Sequence, residues 1–452
     1  MDLSRLPGQQ HQPRVVVVGG GFSGLAAAYE LTLRGLRPVI LEAEPDIGGL
    51  AATFELGGTR IERFYHHWFT NDRHVIELVS ELGRESDVIY RRTRTGMYFA
   101  NKIYRLSTPL DVLRFPALSI ADRIRLALTI VRARRVRNWK AIDHLSAAEW
   151  LRALGGDKVF QVVWEPLLRG KFGAHAEEVS AAWFWSKLRL RGGSRGSRGE
   201  EQLGYFRGGF AALIDELAER VVRAGGEVRR NTPARGLCMD GGRVIAVETD
   251  AGSVPADAVI LTPALPIIAD ILRPHVTADY AERIGAIGYL ANVCVVLELT
   301  RSLSELYWMN VNDPNFPFVG VIEHTNLDQA DASGRRRFVY FSRYLPASDP
   351  IFGALSDHVV QMTLPHVKRM FPDFDPGCIV AASVWQARYA QPVVVRNYSQ
   401  LVPPHRTPLP GVFIASMAQV YPEDRGTNYA IRDGRKVARM VEEFLGSKAL
   451  NA

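Results

Sequence analysis

The stretch "RVVVVGGGFSGLAAAYELTLRGLRPVILEAEPDIGG", Arg14 to Gly49, decides the fold. Val15 to Val18 form an unbroken apolar run, the pattern of a strand buried on both faces of a parallel sheet. Gly19, Gly21 and Gly24 follow in G-x-G-x-x-G spacing, with Phe22 and Ser23 between the last two. Leu25 to Leu31 are mostly strong helix formers. A second apolar strand, "PVILE", ends at Glu42, 18 residues beyond Gly24. Each part has a physical role. Gly19 permits a tight turn, Gly21 lets a pyrophosphate approach the backbone, and Gly24 lets helix and strand pack closely. The free N–H groups and positive dipole end of the helix attract the phosphates. Glu42, followed by Ala43, can accept hydrogen bonds from an adenosine ribose, and its charge repels a 2′-phosphate. These features predict a dinucleotide site in an α/β domain.

Bulk properties agree. The 452 residues suffice for about two or three domains. A content of 47% hydrophobic and 23% charged residues is that of a globular chain with a large core. Cys238, Cys294 and Cys378 lie far apart without metal-ligand spacing, so no metal site or disulfide framework is expected and a reducing, cytoplasmic location fits. The first 14 residues lack a signal-peptide core, and no transmembrane helix is expected.

A second glycine pair, Gly48-Gly49, follows the acidic residue and leads into Leu50. This pattern resembles the FAD-dependent amine oxidase superfamily, which includes protoporphyrinogen oxidases, phytoene desaturases and, more distantly, UDP-galactopyranose mutases. Two later segments strengthen the resemblance. "GGEVRRNTPARGL", Gly225 to Leu237, is similar to the strand whose backbone near Ala234 meets the adenine side. "GVFIASMAQVYPEDRGTNYAIRDGRKVA", Gly411 to Ala438, is similar to the family's last strand and flavin-facing helix. The resemblance implies non-covalent FAD, with Met417, Gly426, Thr427 and Asn428 at its flavin end, where the helix dipole favours negative charge. Three departures stand out: Leu50 replaces a common arginine, Ala415-Ser416-Met417 replaces a common Gly-Asp, and no cysteine lies near the last motif to hold flavin covalently.

The expected architecture is a Rossmann-like FAD-binding domain of the GR2 type with an inserted mixed-sheet substrate domain and a helical subdomain. The FAD domain takes residues 10–75, 205–265 and 408–445. Residues 76–204 read as a mainly helical insertion. Residues 266–407 read as the substrate-binding domain, with "NVCVVLELT" and "RRFVYFSRYL" as strands.

A flavin carries the redox chemistry, so the protein must place a substrate and move a proton. His66 and His67, in "ERFYHHWFTND", follow the glycine turns, where the resemblance implies that the chain passes beside the flavin; an extended chain would turn one ring toward it, and His67 is the choice. "FTND" is similar to a stretch in the sugar mutases. Glu323 and His324, at the end of "PFVGVIE", and Arg343 and Tyr344, after "FVYFS", are the other catalytic candidates. Trp385 to Pro392 resembles the strand before the last FAD segment.

Two basic stretches bear on partners. Arg123 to Lys140 interleaves seven cations with Ile124, Leu126, Leu128, Ile130 and Val131, reading as a solvated basic face or as a helix lying on an anionic bilayer. Arg189, Arg191, Arg195 and Arg198 alternate with Gly and Ser, reading as a solvated surface loop or as a lid over an anionic substrate. Aromatic residues do not interleave with the charges of this second stretch as a nucleic-acid platform requires. The resemblance implies an FAD-dependent oxidoreductase removing hydride from a C–N or C–C unit of a small or lipid-linked substrate. The alternatives are a mutase-like isomerase and an isoprenoid-lipid desaturase or saturase at the membrane surface. The sequence does not specify an oligomeric state.

Overall fold

The computed structural model describes residues 12–105, 111, 114–194, 201–328 and 336–449. Val15–Val18 is the centre of a five-stranded parallel sheet, flanked by Val39–Leu41 and Glu227–Arg229 on one side and by Ala258–Leu261 and Val412–Ile414 on the other. Strands from three distant parts of the chain thus form one sheet. Its centre has no accessible face, and Val16, Val17 and Ile260 are fully buried.

The helix Phe22–Thr32 covers one face and packs against the long helix Thr427–Ala449. Two glycines set that approach. A Cβ on Gly24 would meet the Gly19 carbonyl oxygen at 1.9 Å, and one on Gly434 would meet the Ser23 carbonyl oxygen at 2.1 Å. Arg435 and Arg439 of the long helix reach back to the buried Glu30 carboxylate at 2.7 and 3.0 Å. Burial alone would raise the Glu30 pKa, but these hydrogen bonds outweigh it and lower it.

A seven-stranded mixed sheet builds the second layer, in the order Ile379–Pro392, Tyr289–Leu299, Arg337–Leu345, Gly320–Glu323, Trp308–Val311, Thr95–Phe99 and Lys102–Arg105. The last two strands lie within the segment expected to be mainly helical, which needs correction there: residues 88–105 form three strands. "VIYRR" and "TGMYF" carry the β-branched and aromatic residues that suit a pleated, half-buried surface. The helical part comprises the end of Arg73–Glu81 and, after the strands, Ile120–Arg135, Ala147–Gly155, Glu165–Phe172 and Ala181–Gly193. Of the arginine-rich stretch, Arg195 and Arg198 lie outside the described residues, as does the side chain of Arg191. No helix among the described residues is long and apolar enough to cross a membrane.

Candidate active site

The two glycine turns meet. Gly19 has φ +100° and Gly48 φ +117°, conformations that disfavour any side chain. The Gly48 N–H donates to the Gly20 carbonyl at 2.8 Å, joining the turns. A Cβ built on Gly21 would have no neighbour nearer than 3.8 Å, so the backbone before Phe22 and Ser23 is open to approach. The Glu42 carboxylate lies beside this turn, accepting from the Gly20 N–H at 2.7 Å and the Glu44 N–H at 2.9 Å. Each of its oxygens retains acceptor capacity. Ala43 and Gly49 are exposed at the edge. Ser23 Oγ donates to the Ala415 carbonyl at 2.8 Å, tying the first helix to the segment before Met417. Ala234 opens an antiparallel strand two residues past Thr232, whose N–H donates to the Glu42 carbonyl at 2.7 Å. These features make a cradle whose glycines a side chain would fill, which fits a dinucleotide.

A cavity of about 340 Å³ lies beyond the cradle. Leu50 and residues 64–69 form one wall, the mixed sheet another, the helices Glu165–Phe172 and Ala181–Gly193 a third, and Asp424 to Tyr429 the fourth. Gly426, Thr427 and Asn428 line it at the start of the long helix. The Asn428 side chain is engaged by the backbone of a neighbouring helix, where its Oδ1 accepts from the His74 and Val75 N–H groups at 2.8 and 3.2 Å. Met417 and Ala234 do not line the cavity.

Both His66 and His67 line it. The chain between Glu62 and Trp68 is irregular rather than extended, so adjacent rings need not diverge. His66 Nδ1 lies 2.6 Å from the Phe64 carbonyl oxygen, which can only accept, so the neutral ring carries its proton there and leaves Nε2 bare. Burial, with Arg425 adding to it, lowers the His66 pKa to about 4 against the weaker effect of the Phe64 contact. His67 Nδ1 lies 2.9 Å from Tyr307 Oη, and its ring meets Phe69 and Trp308 edge-on.

Three expected catalytic residues lie elsewhere. Glu323 is buried, but its carboxylate accepts from the Leu303 and Ser304 N–H groups at 3.1 and 3.0 Å, closing a loop outside the cavity. His324 is packed between Tyr205 and Tyr340, and neither ring nitrogen has a hydrogen bond. Arg343 pairs with Asp349 at 3.1 Å, whereas its neighbour Tyr344 lines the cavity, as the two-residue period of a strand requires.

The sequence reading missed several groups. Glu62 is fully buried and accepts from Tyr205 Oη and from the Phe210 N–H at 2.8 Å. Burial raises its pKa to about 7, despite those hydrogen bonds. Asp72, on the cavity wall, accepts from the Phe69 N–H at 2.8 Å, and burial raises its pKa to about 6. Asn292 also lines the cavity, with Oδ1 buried and unpartnered. Lys171, Lys187, Asp424 and Arg425 cluster where the helical wall meets the Asp424 to Tyr429 segment.

Comparison with known proteins assigns the family. A model described as flavin containing amine oxidoreductase matches residues 22–441. The chain belongs to this family. It is 26% identical over 321 residues to coproporphyrinogen III oxidase of Propionibacterium freudenreichii subsp. freudenreichii, covering 58% of this chain and 59% of that protein. The chain spans less than two thirds of the length of the curated relatives that head the comparison, at 59% and 64%. In fold it matches an oxidoreductase from Methanosarcina mazei (TM-score 0.74, 18% identity, 94% of this chain and 100% of that one). It also matches a reduced UDP-galactopyranose mutase (TM-score 0.74, 13% identity, 95% and 96%). Membership in the flavin family gives the cradle its ligand class: a flavin.

Proposed function

We propose that this protein is an FAD-dependent oxidoreductase that removes hydride from a C–N or C–C unit of a small or lipid-linked substrate. The observation that carries this reading is that Leu50, directly after the Gly48-Gly49 turn, and Gly426 to Asn428 at the start of the Thr427–Ala449 helix line one aromatic cavity. Gly19, Gly21 and Gly24 with the helix start at Phe22 would hold the pyrophosphate, and Glu42 the ribose. Bound FAD would supply the hydride acceptor. The free cysteines Cys238, Cys294 and Cys378 do not line the cavity, which supports non-covalent attachment.

The chain's own residues then orient the substrate and manage its proton. Phe64, Trp68, Trp164 and Trp308 contribute apolar rings to the cavity lining. His66, a weak base at neutral pH, is poorly matched to proton removal. His67, steadied at Nδ1 by Tyr307, is the better proton acceptor. The decisive experiment is isolation followed by acid precipitation. A yellow protein that releases FAD into the supernatant is expected. A protein that stays colourless after incubation with FAD refutes the reading, and flavin retained in the pellet refutes non-covalent binding. Bleaching once by substrate without oxygen identifies an oxidoreductase. Turnover only with pre-reduced flavin, without an acceptor, identifies the mutase-like alternative.

A membrane-surface version is favoured by the helix Ile120–Arg135. Ile120, Ile124, Leu128 and Val131 are 74%, 52%, 42% and 45% exposed and recur at helical spacing on one face. Arg125, Arg132, Arg134 and Arg135 surround them. The opposite face is buried through Leu126, Thr129 and Ala133, and Trp185 Nε1 donates to the Ala133 carbonyl at 2.9 Å. An apolar stripe rimmed by arginines suits the interface of an anionic bilayer. We place the protein in the cytoplasm, peripheral at the inner membrane face.

A further inference from the structure

We infer that the cavity captures its substrate by an oxyanion, a carboxylate or phosphate group, seated among Lys171, Lys187 and Arg425. The inference rests on reading the cavity as the substrate chamber of a flavoenzyme.

The charges at this wall do not balance. Asp424 Oδ2 accepts from Lys171 at 2.9 Å and from Lys187 at 2.6 Å, while Oδ1 accepts from Trp183 Nε1 at 3.1 Å. One carboxylate therefore serves two ammonium groups and has both oxygens engaged. Arg425 adds a third positive charge. Each ammonium carries three donors, and Asp424 takes one from each. Among the described residues neither lysine has another hydrogen-bond or ion-pair partner; their remaining contacts are ring faces, with Trp183 4.8 Å from both. Arg425 gives one N–H to Tyr344 Oη at 3.1 Å, and its Nε is buried without a partner.

A second observation points the same way. Trp164 lines the cavity at the end of a π-helical turn, Phe160–Trp164, and its Nε1 is a buried donor without an acceptor. Unmade hydrogen bonds of buried donors are costly, and uncompensated buried cations more so. The Lys171 pKa responds: burial lowers it well below the usual lysine range, Lys187 and Arg425 lower it further, and Asp424 only partly offsets them. The other acidic group on the cavity, Asp72, has neither an ion pair nor a cationic hydrogen-bond partner among the described residues. A ligand oxyanion would satisfy donors from three elements at once.

The cluster is not the phosphate site of the dinucleotide. Gly19 to Gly24 do not line this cavity, and both lysines stand on the helical insertion rather than on the parallel-sheet domain. They face the aromatic chamber, where a substrate headgroup would lie.

The test is calorimetric titration of the FAD-loaded protein with inorganic phosphate, with propionate and with neutral propionamide. Saturable binding of phosphate or propionate, and none of propionamide, is expected, and the stronger anion names the headgroup. Lys187→Gln and Lys171→Met should each weaken that binding at least tenfold, while Lys158→Gln, exposed and outside the cavity, should leave it unchanged. Flavin absorbance is measured on every variant. A Lys187→Gln protein that keeps its flavin and its anion affinity overturns the inference. So does a variant that shifts the flavin reduction potential without changing anion affinity, because the cations would then serve the flavin alone. A protein that takes up no FAD overturns the flavoenzyme reading instead, and its own anion titration still decides the subsite.

Discussion

Replacing Glu62 by glutamine should change how stability depends on pH, in one direction only. The carboxyl is fully buried between Tyr205 and the Phe210 N–H, and burial raises its pKa from 4.5 to about 7. In the unfolded chain it ionises near the ordinary value. Its contribution to stability is therefore fully present below pH 4.5 and is lost as pH rises toward 7. At about 1.36 kcal/mol per pH unit, the loss is about 3 kcal/mol. Glutamine has the same shape and no charge to bury, so Glu62→Gln should gain about 3 kcal/mol on the parent between about pH 4.5 and pH 7.

His66 and His324, both lowered to about 4 by burial, act in the opposite sense: their contribution is present above 6.5 and lost as pH falls through 4. Asp328, raised to about 6 by burial, acts in the same sense as Glu62. All three are present in both proteins, so their own titrations cancel in the difference except where Asp328 and His324, the latter 4.0 Å away, act on the Glu62 charge itself. With an unfolding entropy of roughly 2.1 cal/mol/K per residue, 452 residues convert about 3 kcal/mol into about 3 °C. Thermal melts of both proteins at about pH 5 and about pH 8 read this directly. A melting difference that stays constant with pH, or one in which the variant loses ground to the parent as pH rises, refutes the assignment of a buried, protonated Glu62.

Three further outcomes are expected. His67→Ala should slow anaerobic flavin reduction by about 10²- to 10⁴-fold, and His66→Ala much less; equal rates for His67→Ala and the parent would remove His67 from proton transfer. Gly24→Ala puts a methyl 1.9 Å from the Gly19 carbonyl oxygen and should lose both FAD on gel filtration and several degrees of melting temperature, whereas Gly446→Ala, with nothing within 4 Å, should lose neither. Ile124→Asp with Leu128→Asp should abolish sedimentation with phosphatidylserine vesicles at low salt, and unchanged sedimentation of that variant would show that the exposed stripe does not touch lipid.

What could be read from the residues, and what could not, follows from the range of the physics involved. The strand–glycine–helix unit and Glu42 are legible because turn geometry and burial act within about 30 residues of chain. Arg343 with Tyr344 shows the limit of periodicity: alternation says that the two point apart, but only the packing of Arg337–Leu345 in its sheet says which one meets the cavity. Glu323 and His324 looked reactive because polar residues at a strand end often enter a site. Here Glu323 closes the loop at Leu303 and Ser304, and His324 is wedged between tyrosines.

The same reasoning accounts for the cluster that was missed. Lys171 and Lys187 are unremarkable members of helical stretches, and Asp424 and Arg425 lie more than two hundred residues on, before the final helix. Only the folded chain brings three cations to one carboxylate. A half-buried excess of basic groups costs stability when left uncompensated, so its presence beside an aromatic chamber is evidence about what enters there. The lysines stand on the elements that enclose the chamber, and Arg425 lies beside the helix start that would meet the flavin. An oxyanion bridging the two would hold the rest of a substrate in the same chamber that His66 and His67 line, so anion capture and proton transfer would share one cavity.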